Sequence, residues 1–247
     1  MRRTIDKVNI MGVPFAKITM EQTVQLLSER LEADGGDLFQ VITANPEMVM
    51  QQQQDHELQT IIHEAGLVTP DGIGIVMAAK WRGNPVPERV TGYDLLLRLL
   101  EAGDRKGWSF YFLGTDEDTN RTAVETIRQR YPGVRIAGRH NGFFSEEEEG
   151  QLVSEIKERK PDLLIVALGV PRAEKWIYRY KDRLGAKLAI GVGGSLDVIA
   201  GKVKGAPEIW KRLNLEWLYR LIRQPSRWRR QLVLPKFAIK AYLTRNR

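Results

Sequence analysis

Short apolar runs alternate with longer amphipathic segments along most of the chain, and this alternation constrains the fold more than any other feature. Several runs, such as "DLLIVALG" (162–169), are almost continuously apolar, as expected of strands that are covered on both faces. Alternating strands and helices indicate a parallel sheet with helices on its faces. The predicted strands are 39–45, 66–72, 108–114, 134–140, 162–169 and 187–194, and the predicted helices are 20–33, 56–64, 73–81, 92–102, 117–130, 146–158 and 173–184.

Local signals add a hairpin and two helix starts to this prediction. "NIMGVPFAKIT" (9–19) predicts a small hairpin near the beginning of the chain. Ser145, which precedes a run of glutamates, predicts the start of a helix. The acids at 116–118 lie where the dipole of the following helix favours negative charge.

The alternation stops after Gly201. The remaining residues predict helices that are broken at Pro207, Pro225 and Pro235, because proline disrupts the interior of a helix. The sequence therefore predicts an α/β body at 1–200, with a Rossmann-like and mostly parallel sheet layered by helices, followed by a basic helical C-terminal appendage at 201–247.

The charge changes at the same place. The whole chain has a formal net charge of +7, but residues 202–247 hold 13 Lys and Arg against two acidic residues. The other 201 residues hold 25 basic and 29 acidic side chains. Such asymmetry points to a polyanionic partner, which is a nucleic acid, an anionic membrane face or a phosphorylated substrate.

Composition excludes several classes of protein. The chain has no cysteine, which excludes disulfides, thiolate metal sites and a cysteine nucleophile, and which fits a reducing cytosol. The first ten residues lack the apolar core of a signal peptide. No run approaches the roughly 18 apolar residues that span a bilayer. We therefore expect any contact with a membrane to be peripheral.

Polar residues follow the predicted strands at the edge where open α/β sheets collect their sites. Asp71 lies at the end of the predicted strand and before a glycine, so its carboxylate can face a cleft and act as a general base. It can equally cap the helix predicted at 73–81. Thr43 and Asn45 follow the preceding strand, where they can orient substrate hydroxyls; a simple turn before Pro46 is the interpretation that spacing alone favours.

Other candidate motifs carry less information. "GVGGS" (191–195) and "DGIG" (71–74) do not match a dinucleotide or Walker pattern, although such glycines can admit a phosphate close to backbone N–H groups. "DED" (116–118) matches the pattern by which many sugar-nucleotide enzymes hold a metal, but a helix start explains it equally well. The three histidines show no zinc-ligand spacing. We therefore predict no structural metal.

The C-terminal region has a clear helical pattern. One stripe of the helical wheel is apolar, with members at intervals of seven, four, seven and four, and another is cationic, with members at intervals of three, four and three. Arginines in such a row suit bidentate binding of phosphate, whereas a helix docked on the body with a solvated cationic face is the simpler alternative. The apolar stripe is Trp210, Trp217, Leu221, Trp228 and Leu232, and the cationic stripe is Arg220, Arg223, Arg227 and Arg230.

Taken together, these stretches resemble the WecG/TagA/CpsF glycosyltransferase family. They cover nearly the whole chain in the family's order, and jointly they are highly specific. The matching stretches are "TANPEMV", "TPDGIGIVMAAK", "ERVTGYDLL", "FLGTDEDT", "LLIVALGVPRAEKWI", "GVGGSLDVIAGKVKGAPEIWKRLNLEWLYRLI" and "PSRWRR".

The resemblance implies an activity and its partners. Enzymes of this family move an N-acetylmannosamine-type sugar from a UDP donor to GlcNAc on a polyprenyl (undecaprenyl) diphosphate, at the cytoplasmic face of the cell membrane. The transfer inverts the anomeric carbon, generally needs no metal and implies no cofactor. The resemblance leaves open the donor sugar (N-acetylmannosamine, its uronic acid or a relative), the polymer that the product enters, such as a teichoic acid, and whether the chain forms a homo-oligomer.

The resemblance also assigns roles to residues. It implies that Asp71 is the base, and that Thr43, Asn45 and Arg89 bind substrate. Arginines of the C-terminal appendage are implied to engage the diphosphate. These arginines are Arg220, Arg227 and Arg230.

One position departs from the family pattern. After the Gly-x-Pro of "GVPRAEKW", the family commonly has a basic residue, then glutamine, then glutamate, whereas this chain has Arg172, Ala173 and Glu174. Alanine cannot hydrogen-bond a substrate. The contact is therefore dispensable here, or specificity or activity differs, or the residue was changed by engineering.

Two other classes of function compete with this prediction. A nucleic-acid-binding α/β protein could use the C-terminal region as a cationic arm. Such arms intersperse aromatic residues with basic ones for stacking, whereas here the two kinds occupy separate stripes, as in helices that lie on a membrane surface. A nucleotide-dependent oxidoreductase lacks its dinucleotide motif. We therefore predict a peripheral inverting glycosyltransferase that binds an anionic membrane and no nucleic acid.

Overall fold

A six-stranded parallel sheet forms the centre of the protein, as the sequence predicts. The computed structural model describes residues 5–33, 35–207, 209, 210, 213, 215–223, 228 and 232–245, without the side chain of Arg220. A two-stranded antiparallel hairpin precedes the sheet and confirms the predicted one. The hairpin consists of β1 (Lys7–Ile10) and β2 (Val13–Ala16), and the sheet of β3 (Phe39–Ala44), β4 (Leu67–Pro70), β5 (Ser109–Gly114), β6 (Arg135–His140), β7 (Leu163–Ala167) and β8 (Leu188–Gly191).

The strand order is β4-β3-β8-β7-β5-β6, and each neighbouring pair is parallel. All six predicted strands are therefore confirmed, together with the Rossmann-like class. Helices connect the strands and cover both faces. They are α1 (Met20–Glu32), α2 (Pro46–Gln51), α3 (His56–Glu64), α4 (Ile73–Trp81), α5 (Gly92–Lys106), α6 (Glu117–Arg130), α7 (Glu146–Arg159), α8 (Arg172–Tyr180), α9 (Ser195–Ile199), α10 (Glu216–Arg223) and α11 (Val233–Leu243).

The continuously apolar strands are buried on both faces because successive residues enter different cores. Phe110 and Phe112 of β5 face a core with α1, α5 and α6, whereas Tyr111 and Leu113 face a core with α7 and α8. All four side chains are fully buried. This alternation is why the strands lack a polar face in the sequence.

Helix caps fix where several helices begin. Ser145 accepts a hydrogen bond from the Glu148 N–H, and the Glu148 side chain accepts one from the Ser145 N–H, which completes a capping box at the start of α7. Asp116 caps α6 by accepting from the Thr119 N–H. Both predicted helix starts are confirmed.

The last helix packs on the body. The side chains of Phe237 and Ala241 in α11 are buried where this helix packs on α2 and α4, and Trp81 meets Tyr242 edge to face with ring centroids 5.7 Å apart. The predicted division of the chain at about residue 200 therefore crosses a shared core, and it stays a prediction.

The predicted break at Pro235 is wrong. Pro235 is the third residue of α11, within its first turn. Backbone N–H groups of a first turn have no acceptor inside the helix, so proline costs little there and its fixed φ suits the helix. The predicted break at Pro225 lies outside the described residues.

Candidate active site

The site is built where β3 and β4 end. The two strands run in parallel register, with Thr43 beside Thr69 and Ala44 beside Pro70. The Asp71 N–H then donates to the Ala44 carbonyl over 2.9 Å, which extends the ladder by one residue. Asp71 and Asn45, each the first residue beyond its strand, therefore lie side by side at the carboxyl edge of the sheet.

The segment before α5 closes a third side of this site. The Val90 N–H donates to the Pro70 carbonyl over 2.9 Å, and the Thr69 hydroxyl donates to the Val90 carbonyl over 3.1 Å. Helix α5 then begins at Gly92 under the Thr91 cap. A Cβ at Gly92 would lie 2.8 Å from the Thr43 hydroxyl oxygen, so only glycine allows this approach.

Asp71 points at the start of α5 rather than at the helix that follows it. Its Oδ2 accepts from the Gly92 N–H at 3.4 Å, and the N-cap of α4 is Gly72 (φ 101°). Capping of α4, one of the two roles that the sequence allows for Asp71, is therefore not observed. The contact with Gly92 is long for a hydrogen bond. A half-buried carboxylate at the carboxyl edge of an open parallel sheet can accept a hydroxyl proton.

The two polar residues of β3 and its loop hold different places. Asn45 caps α2, since its Oδ1 accepts from the Met48 N–H over 2.9 Å, and Pro46 occupies the first helical position. The turn before Pro46 thus opens a helix that periodicity did not predict. Thr43 is half-buried and lies against Gly92, within the same group as Asp71.

Arg89 precedes the segment that contacts the end of β4, and its side chain has a partner that sequence analysis missed. Its Nη1 forms an ion pair with Oε2 of Glu216 at the start of α10, and the two side chains are only 18% and 19% exposed. The residues are 127 positions apart, so no periodicity or spacing links them. Opposite charge was the only signal, and many pairs share it.

The three C-terminal arginines are not among the side chains described. Arg220 belongs to α10 without a described side chain, and Arg227 and Arg230 lie outside the described residues. Of the predicted site residues, the structure places Thr43, Asn45 and Asp71 at one edge of the sheet, and it places Arg89 next to Val90, whose backbone contacts Thr69 and Pro70. In the apolar stripe, Trp217, Trp228 and Leu232 are exposed, whereas Trp210 and Leu221 are half-buried.

The acids at 116–118 each have a cationic neighbour. Asp116 forms an ion pair with Lys202 at 2.5 Å, and this contact, together with hydrogen bonds from Thr119, holds the pKa of Asp116 well below its usual range. Glu117 pairs with Arg139, and Asp118 pairs with Arg121. Among the described residues, no group of three or more His, Asp or Glu side chains is arranged to hold a metal ion.

A buried acid lies at the start of α8. Glu174 is 3% exposed, and among the described residues its Oε2 has no hydrogen-bond partner. Burial raises the pKa of Glu174 to about 7. The neighbouring Ala173 is 1% exposed, and its Cβ lies 3.3 Å from where a Cβ of Gly191 would be. The position that departs from the family pattern thus faces the protein interior.

An open parallel sheet with a carboxylate and polar groups at its carboxyl edge is the architecture of enzymes that bind nucleotide-linked substrates. Within that class, the chain belongs to the glycosyl transferase WecG/TagA/CpsF family, which it matches over residues 8–247. This membership confirms the resemblance and supports glycosyl transfer over nucleic-acid binding.

Three similar proteins carry the same name. The chain is 38% identical to a Bacillus spizizenii protein over 80% of its own length and 76% of the relative's, and 36% identical to a Bacillus subtilis protein over 81% and 77%. A Staphylococcus aureus protein is 32% identical over 97% of the chain and 93% of the relative. Each of these relatives is named N-acetylglucosaminyldiphosphoundecaprenol N-acetyl-beta-D-mannosaminyltransferase.

Within the described part of the chain, no helix is long and apolar enough to cross a bilayer.

Proposed function

We propose that the chain transfers N-acetylmannosamine from UDP to GlcNAc on undecaprenyl diphosphate, forming a β-1,4 linkage with inversion. The single observation that carries the proposal is the Asp71 carboxylate in its three-sided site, in a chain that belongs to this family. The names of the relatives favour N-acetylmannosamine over its uronic acid. A cell-surface polymer of the teichoic acid type is the proposed destination of the product.

Asp71 acts as the general base in this proposal. It takes the proton from the attacking hydroxyl of the acceptor GlcNAc, whose oxygen forms a bond to the anomeric carbon of the donor. The bond from that carbon to the diphosphate oxygen breaks, and UDP leaves on the opposite face, which inverts the configuration. Thr43 and Asn45 orient sugar hydroxyls from the end of β3.

Positive charge stabilises the leaving diphosphate. Arg89 is the described cation of the site, and Arg220, Arg227 and Arg230 are proposed to add to it from the C-terminal region. Preorganised cations and helix N-termini can stabilise the charge that develops on UDP without a metal ion. No cofactor enters the reaction.

The acceptor is a membrane lipid, so we propose that the protein binds the inner face of the cell membrane from the cytoplasm. Each basic residue near an anionic leaflet contributes about 1 kcal/mol. The 13 Lys and Arg of residues 202–247 can therefore hold the protein reversibly, with exposed Trp217 and Trp228 at the interface. A homo-oligomer on the membrane is compatible with this arrangement.

A turnover assay tests the activity. UDP release is measured with UDP-N-acetylmannosamine, its uronic acid, UDP-GlcNAc and UDP-glucose, each with and without lipid-linked GlcNAc. We expect release only with an N-acetylmannosamine-type donor and only with acceptor. Acceptor-dependent turnover of UDP-glucose alone, or no turnover with any donor, would contradict the proposal.

Liposome flotation tests the membrane part. Removing the chain after residue 200 would expose the core around Phe237, so charge removal is the cleaner change. Replacing Arg227 and Arg230 with Gln should reduce turnover more than binding to anionic liposomes, because most basic residues of the region remain. Equal turnover in the double variant and the wild type would show that these arginines form only a solvated face.

A further inference from the structure

The ion pair between Arg89 and Glu216 joins the C-terminal region to the site. Both side chains are less than one fifth exposed, so the pair lies in a less polar environment than a surface bridge. Surface pairs contribute little, whereas a desolvated guanidinium needs a counter-charge to remain in place. Glu216 supplies that charge from the first turn of α10.

Arg89 lies in a segment that is tied to the proposed base. Val90 is held between the Pro70 carbonyl and the Thr69 hydroxyl, and Gly92 donates its N–H to Asp71. A change in the direction of Arg89 therefore acts on a segment that also sets the surroundings of Asp71. The path from α10 to Asp71 consists of one ion pair and a few adjoining backbone contacts.

We propose that Glu216 is a positioning residue of the active site, which holds the Arg89 guanidinium toward the donor diphosphate. The inference rests on the proposed function, because that function supplies the diphosphate. A guanidinium carries five N–H donors in a rigid plane, and a single carboxylate contact at Nη1 leaves donors for a phosphate oxygen. Glu216 thus fixes the plane of the guanidinium without consuming its binding capacity.

The opposite role for Glu216 makes a different prediction. If its carboxylate competed with the diphosphate for Arg89, removing it would strengthen donor binding. If it positions Arg89, removing it leaves the guanidinium in several orientations, and both donor binding and turnover fall. The two roles therefore differ in the sign of the effect.

The test compares Glu216→Gln with the wild type and with a matched control, Glu32→Gln, which removes the acid of the ion pair between Lys106 and Glu32 away from the site. We expect Glu216→Gln to lower kcat/KM by about 10- to 100-fold, with part of the loss in kcat, because misplacing a reacting group by 1 Å can cost that much. Because the Arg89–Glu216 pair is less exposed than the Lys106–Glu32 pair, Tm should fall further in Glu216→Gln than in Glu32→Gln, so kcat/KM is compared at a temperature where both variants remain folded. Glu216→Asp should recover part of the loss.

A double-variant cycle and hydrogen exchange complete the experiment. In the cycle, Arg89→Lys combined with Glu216→Gln should lose no more activity than the worse single variant, because both changes break one contact. Amides of Val90 and Gly92 should exchange at least about 10-fold faster in Glu216→Gln than in the wild type, while those of α7 remain unchanged.

The outcomes separate the two proposals. Tighter donor binding in Glu216→Gln, or kcat/KM equal to that of Glu32→Gln, would overturn the positioning role even though glycosyl transfer stood. If the wild type turned over no donor in the panel, the proposed function would fail, and exchange would still decide for Glu216. Unchanged exchange at Val90 and Gly92 would overturn the inference by itself.

Discussion

Two aspartates at the carboxyl edge of the sheet follow the same local sequence pattern but make different contacts. Asp71 follows β4 and precedes α4, and Asp116 follows β5 and precedes α6. Asp116 caps its own helix and pairs with Lys202. Asp71 leaves the N-cap of its helix to Gly72 and accepts a long hydrogen bond from the first amide of α5.

The two aspartates differ because different segments of the chain pack against them. Hydrogen bonds and a lysine at Asp116 stabilise its ionised form and lower its pKa, which makes it a poor proton acceptor. Residues 89–92 bring an amide and an arginine to the β4 edge, beside polar Thr43. The order of strand, acid and helix in the sequence thus predicts where each aspartate lies. Contacts with distant segments determine what its carboxylate can do chemically.

Substitution of the two aspartates tests the difference between them most directly. Replacing Asp71 with Asn keeps its shape and removes its basicity, so turnover should fall by roughly 10² to 10⁴, the usual contribution of general base catalysis. UDP binding, measured by calorimetry, should stay nearly unchanged because the proposed role of Asp71 is at the acceptor hydroxyl.

Asp116→Asn is the matched control, since asparagine also caps helices well. Its turnover should remain within a few-fold of the wild type. If Asp71→Asn turned over like the wild type, or if Asp116→Asn lost as much activity as Asp71→Asn is expected to lose, the roles assigned to the two aspartates would be wrong.

Much of this fold was predictable because its signals are local. Buried strands are short apolar runs, and amphipathic helices of nine or more residues show their period, as α5 and α6 do. Helices α2 and α9, with six and five residues, are too short for a period to appear. For α2, the capping residue Asn45 and the following Pro46 were the available signal.

The site was predictable only as a set of positions. Strand ends placed Thr43, Asn45 and Asp71 at one edge of the sheet, because parallel strands end together. The contact from Gly92 to Asp71 and the ion pair from Arg89 to Glu216 join segments 21 and 127 residues apart. Such pairs depend on how the helices pack, which no local pattern encodes.

Glu174 differs from both aspartates because burial is the main cause of its pKa shift, which a backbone hydrogen bond only partly opposes. Its pKa of about 7 lies above the ordinary value of 4.5, so between these values the folded protein binds more protons than the unfolded one. Stability therefore falls as pH rises through this window, by about 3 kcal/mol in total at 1.36 kcal/mol per pH unit of pKa shift.

Glu174→Gln should remove this dependence. The difference in free energy of unfolding between the wild type and Glu174→Gln, measured in urea at pH 4.5 and pH 8, should shift by about 3 kcal/mol in favour of the variant at the higher pH. Parallel pH profiles for the two proteins would show that Glu174 is not ionised at a cost in the folded state.

Removing the cap at Asp116 should give a smaller effect, on stability alone. Asp116→Ala loses the hydrogen bond to the Thr119 N–H and the pair with Lys202. For a chain of this size we expect Tm to fall by about 2–4 °C near pH 7, the usual result of losing an N-cap.

The pH dependence of that loss has a definite sign. The pKa of Asp116 is lowered on folding, so its stabilisation is complete above the ordinary aspartate range and fades as pH falls through it. The difference in Tm between Asp116→Ala and the wild type should therefore narrow in acid. A larger difference at pH 3 than at pH 7 would contradict the assigned contacts.

Removing divalent metal ions should leave turnover unchanged. This result tests whether the acids that follow β5 have only a structural role. Asp116, Glu117 and Asp118 each pair with a basic residue, which accounts for the three acids as a helix start without a metal ion. We therefore expect turnover to be unchanged in excess EDTA, with added Mg²⁺ or Mn²⁺ giving no increase. Loss of turnover on chelation that Mn²⁺ or Mg²⁺ restores would make Asp116 and Asp118 candidate ligands. Lys202 would then have to leave Asp116, and the carboxyl ends of β4 and β5 would belong to one catalytic site.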